Sequence, residues 1–118
     1  MLRVLFLILC FFSVSAFAQT KEKPQAYKFF EYEKISDTVL TQKLEDYYKQ
    51  LASSNSQGYI INYGKDKDAE KREKQIRKSN DFRGADPPKI TYVRGDNKSK
   101  PKTILWIVPA GALPPTPN

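Results

Sequence analysis

No histidine occurs in the 118 residues, and the single cysteine is Cys10. Without histidine the chain lacks the usual general base at neutral pH, and without a second cysteine it has no intrachain disulfide. Both absences remove the best zinc ligands. Any catalysis would rest on carboxylates, whose spacing here suggests no catalytic pair. We therefore expect no enzyme, no cofactor and no metal site. Apolar runs are equally scarce: the one long stretch is Val4 to Phe12, behind Met1 and Arg3. Ser13-Val14-Ser15-Ala16-Phe17-Ala18 follows it and ends in a small-x-small pattern. A basic start, a short apolar run and an Ala-x-Ala exit read as a secretory signal peptide over residues 1–18. The apolar run is short for a bilayer span, so cleavage before Gln19 is favoured over an uncleaved anchor, and no stable membrane span is expected after it. Cys10 lies in the leader, where the bulky Leu9 before it argues against a lipid-attachment box. The expected location is outside the cytoplasm, in the periplasm or cell envelope.

The mature chain would carry 19 basic against 13 acidic side chains, since Arg3 leaves with the leader. One hundred residues suffice for one small domain held by its core alone. Residues 19–27 read as a flexible N-terminal segment, with Tyr27 to Glu33 a first strand by its partial alternation. Ser36 or Asp37 can cap a helix over about 38–53, in which Leu40, Leu44, Tyr47, Tyr48 and Leu51 share one face. Gly58 to Tyr63 is β-branched and aromatic, suiting a central strand that Gly64 ends. Residues 65–83 favour helix, with Glu70–Lys74 and Glu73–Arg77 as i,i+4 pairs, but only Ala69, Ile76 and Phe82 offer apolar surface. Lysine and arginine stems would have to fill in. Gly84 and Pro87-Pro88 stop that helix. Lys89 to Arg94 alternates as a third strand, and Thr103 to Val108 is continuous enough to lie centrally. Four prolines after Val108 predict an extended or disordered tail over 110–118.

This order predicts an α+β fold: a two-layer βαβαββ sandwich with two helices on one face of a mixed four-stranded sheet. Gly84-Ala85-Asp86-Pro87-Pro88-Lys89-Ile90 resembles the Gly-Ile-Asp-Pro-x-Arg-Ile stretch of OmpA-like C-terminal domains. Gly95-Asp96 and Pro101, followed by Thr103 to Val108, are similar in kind to that family's last loop and strand. The resemblance spans about residues 28–109 and describes a shortened, degenerate version in a small exported bacterial protein. It implies non-covalent binding to peptidoglycan, in which an Asp and an Arg clasp the diaminopimelate group of the stem peptide. A carboxylate meets the ammonium there, and a guanidinium meets the carboxylate in a bidentate fork. Arg72 falls at the arginine's place, and Asp66 or Asp68 is nearest to the aspartate's. The family's Gly-x-Thr-Asp signature is missing, and Glu73 and Lys74 replace small residues beside the arginine. Arg72, Asp66 and Asp68 also read as ordinary solvated charges on an exposed helix.

Residues 65–83 hold eight basic and five acidic side chains, and residues 84–102 add five basic against two acidic. Such a surface suits an acidic envelope component, or simply keeps the chain soluble. Nucleic acid is not an expected partner for an exported protein. The aromatic residues read mainly as core. The sequence thus points to an envelope binding module whose partner is a peptidoglycan stem peptide or an acidic component. The alternative is a structural or interaction protein of the periplasm that keeps the fold without a ligand site.

Overall fold

The computed structural model describes residues 23–79 and 88–118. The leader, the Gly84-to-Pro87 motif, Phe82 and the expected end of the second helix lie outside them. Strand β1 is Tyr27–Tyr32, helix α1 Asp37–Ser53, β2 Gln57–Tyr63, α2 Asp66–Ser79, β3 Ile90–Arg94 and β4 Lys102–Val108. The architecture is the α+β class expected, with a mixed sheet in the order β1-β4-β2-β3. β4 runs antiparallel to both its neighbours, whereas β2 and β3 are parallel.

Helix α1 begins where Ser36 takes an extended conformation and accepts a hydrogen bond from the Val39 N–H. Its buried side chains are Leu40, Leu44, Tyr47, Tyr48 and Leu51, the apolar stripe read from the sequence. They pack with Tyr32, Ile60, Ile76, Leu105 and Ile107 in one core. Both helices thus cover the same face of the sheet. α2 buries only Ala69 and Ile76, and its expected pairs form: Lys74 reaches Glu70 and Arg77 reaches Glu73, each at 3.3 Å. Arg77 also lies 4.0 Å above the Tyr92 ring, so an arginine does part of the packing that apolar residues do elsewhere.

The central strands are apolar on both faces. Ile61, Tyr63 and Ile104 form a second cluster with Tyr59, Val93 and Trp106, on the side away from the helices. Beside Trp106, residues 23–26 meet the proline-rich tail, which turns back through a Pro109–Ala112 hydrogen bond of 3.0 Å. The tail adds no strand to the sheet, as its prolines require.

Tyr47 connects α1 to the strands beneath it. Its hydroxyl donates to the Trp106 carbonyl at 2.5 Å and accepts from the Tyr59 N–H at 3.0 Å, bridging facing residues of β4 and β2. Gly58 makes room for this approach: a Cβ there would stand 2.7 Å from the Tyr47 oxygen. At the strand's other end Gly64 adopts φ +108°, a left-handed turn that few other residues tolerate, and leads the chain into α2.

Candidate functional site

The register aligns Tyr32, Thr103, Asn62 and Arg94 in one row across all four strands, on the helix-covered face. Thr103 and Asn62 are fully buried and polar within otherwise apolar strands. The Thr103 hydroxyl donates to Asn62 Oδ1 at 2.6 Å, a bond strengthened by its dry surroundings. Asn62 Nδ2 is buried without a hydrogen-bond partner among the described residues.

Arg72 descends from α2 onto this row. Its Nη1 donates to Thr103 Oγ1 at 3.4 Å, and its Nη2 donates to the Glu33 carbonyl. The guanidinium carbon sits 5.9 Å from the centre of the Tyr32 ring. Arg72 is half-buried, so it is not the fully solvated charge that a polar helix suggests. These bonds use two of its five N–H groups and leave three for another acceptor. Burial raises the pKa of the Tyr32 phenol, while Thr103 and the Arg72 charge oppose that rise. The phenol oxygen makes no hydrogen bond of normal geometry among the described residues.

Two adjoining clefts share Tyr32, Glu33, Lys34, Ile35, Arg72 and Pro101 in their walls. Asp68, one turn before Arg72, lines the smaller one, of about 410 Å³. The two form no ion pair, so a carboxylate and a guanidinium stand available in one concavity. Asp66 is placed differently. It opens the first turn of α2 with its side chain exposed, and its carbonyl accepts from Arg94 Nη1 at 3.1 Å. Asp66 is absent from the walls of both clefts. The structure therefore brings Asp68 and Arg72 together and leaves Asp66 at the helix start.

Sequence reasoning passed over Asn62 and Thr103. The signal was present, because each is a polar residue at the end of an apolar strand, facing the core by alternation. Among the described residues, no three acidic, histidine or cysteine side chains are grouped to hold a metal ion. No helix there is long and apolar enough to cross a membrane. Comparison with protein-family models, curated proteins and solved structures finds no match to the chain.

Proposed function

We propose that the chain is an exported binding module of the bacterial envelope, not an enzyme, which associates non-covalently with peptidoglycan or another acidic envelope component. The observation that carries this reading is the cleft holding both Asp68 and Arg72 with no ion pair between them. A stem-peptide group bearing an ammonium and a carboxylate has complementary charges to that pair. The three uncommitted N–H groups of Arg72 can meet its carboxylate, and Asp68 its ammonium. The resemblance around residues 84–90 supports the same reading. Asp66 has no part in it.

Co-sedimentation with purified peptidoglycan sacculi, at low and high salt, tests the proposal. The chain should pellet in salt, because the half-buried Arg72 guanidinium is screened less than a fully exposed charge. Asp68→Asn should abolish pelleting while lowering stability by no more than about 1 kcal/mol, the contribution of a first-turn carboxylate, since Asp68 is exposed and unpaired. Pelleting that disappears in salt and ignores Asp68→Asn would sink the stem-peptide site.

One observation favours the second reading, a periplasmic structural or interaction protein without a ligand site. Arg72 binds Thr103 and the Glu33 carbonyl, which joins α2 to β4 and to the loop after β1. On that reading Arg72→Ala lowers the melting temperature, and no wall attachment exists to be lost.

A further inference from the structure

The clefts around Arg72 do not end at Asp68. A third concavity, of about 590 Å³, continues along α2 and shares Lys71 and Gln75 with the cleft that Asp68 lines. The three form one elongated groove between α2, the loop after β1 and Pro101. Its basic side chains are Lys34, Lys71, Arg72, Lys74, Lys78 and Lys100. Glu31, Glu33, Asp37 and Asp68 are the acids along it. Glu31 pairs with Lys28, outside the groove, at 3.0 Å, whereas Asp37 accepts from the neutral Gln75 Nε2 within it at 2.6 Å and keeps its charge, so six basic side chains face three unpaired acids.

Lys67, Lys71, Lys74 and Lys78 recur at three- and four-residue spacing, so one face of α2 carries all four over roughly 16 Å. All four are exposed, and among the described residues only Lys74 of the four has an ion-pair partner, the exposed Glu70. That pair is weak and readily exchanged. The outward side of α2 offers no apolar side chain to insert into a bilayer, because its buried apolar residues are Ala69 and Ile76. A concave, linear array of charges fits an extended chain better than a flat membrane. Lysine ammoniums act as compact point charges, the form in which lysine binds phosphate, and can meet its tetrahedral oxygens from any direction without the planar fork of an arginine.

We propose that this groove binds an extended phosphate-bearing polymer, with Lys71, Lys74 and Lys78 as its principal contacts. The proposal goes beyond the stem-peptide reading and does not need Asp68. The test is binding of the full chain to labelled linear polyphosphate, titrated at about 50 and 200 mM salt. The Lys71→Gln/Lys74→Gln/Lys78→Gln triple variant should lose affinity on the order of tenfold at low salt, with a shallower salt dependence. Lys23→Gln/Lys49→Gln/Lys89→Gln has the same net charge, replaces exposed lysines outside the groove, and should bind as the parent does. Circular dichroism would confirm that both variants keep the fold. Equal losses in the two variants would overturn the proposal, as net charge alone would then explain binding. Equal affinity for polygalacturonate of matched length would overturn the assignment to phosphate. Binding to anionic phosphatidylglycerol vesicles but not to polyphosphate would assign the surface to a membrane instead. Failure in any of these ways leaves the stem-peptide reading standing, because Asp68→Asn and sacculi decide that one.

Discussion

Tyr47 joins three elements through one oxygen, and its environment explains why phenylalanine would not replace it. The hydroxyl holds the Tyr59 N–H and the Trp106 carbonyl, both main-chain groups of central strands. Burial raises its pKa well above the ordinary value of 10.0, so the phenol stays protonated and can donate. In Tyr47→Phe the ring still packs against Phe29 and Tyr48, but two buried backbone groups lose a partner. An unsatisfied buried group costs about 1–3 kcal/mol, so urea unfolding should show a loss of at least that order. Retained stability in the variant would mean that the strands close the gap themselves. The aromatic pattern was readable as core, but the position of this oxygen was not. It depends on Gly58 lying beneath residue 47, a contact across eleven positions of chain that periodicity does not encode.

The two helices differ in how far their sequences explain them. For α1 the apolar stripe was legible, because five large side chains at helical spacing leave one face to bury, while the cap was narrowed only to Ser36 or Asp37 and the structure assigns it to Ser36. α2 presents only Ala69 and Ile76 to the core. Its attachment is otherwise polar or cationic: Arg72 on Thr103 and Glu33, Gln75 on Asp37, Arg77 on the Tyr92 ring, and Asp66 held through its carbonyl by Arg94. Ile76, wholly buried, is thus the main apolar anchor of the helix. Ile76→Ala should destabilise the protein by about 2–5 kcal/mol, measured by chemical denaturation. An exposed substitution such as Lys74→Ala should change stability by less than about 0.5 kcal/mol. If Ile76→Ala were equally mild, the polar contacts would be holding α2 by themselves. The i,i+4 pairs were readable because helical spacing alone defines them, whereas the partners of Arg72 lie 31 and 39 residues away.

For the molecule as a whole, the missing histidine and the buried tyrosines set the response to pH. No side chain has its ordinary pKa between the carboxylates and the lysines except Cys10 and the tyrosines. Tyr32, Tyr47 and Tyr48 are all shifted upward by burial, the largest cause in each. In the unfolded chain these phenols ionise near 10.0, before they can do so in the fold. Their contribution is therefore complete below that value and is lost as pH rises above it. Thermal unfolding should be level from neutrality to about pH 9 and fall above pH 10. Tyr48→Phe should make that alkaline fall shallower. A profile unchanged above pH 10 would contradict the burial of these phenols.

Local order and composition were enough to determine the elements, the α+β class and which face of α1 is buried, because these follow from side-chain spacing within a few residues. The same reading singled out Asp68 and Arg72 but could not separate Asp68 from Asp66, two positions apart in the same helical turn. Only the tertiary structure decided that Asp68 joins Arg72 in a cleft, and that Asn62 and Thr103 lie buried beneath the arginine. It also set the strand order β1-β4-β2-β3 and joined three clefts into one basic groove. The physical reason is range. A capping hydroxyl or an apolar stripe acts within a few turns of chain, whereas a site is made by groups that meet only after the sheet has set its register.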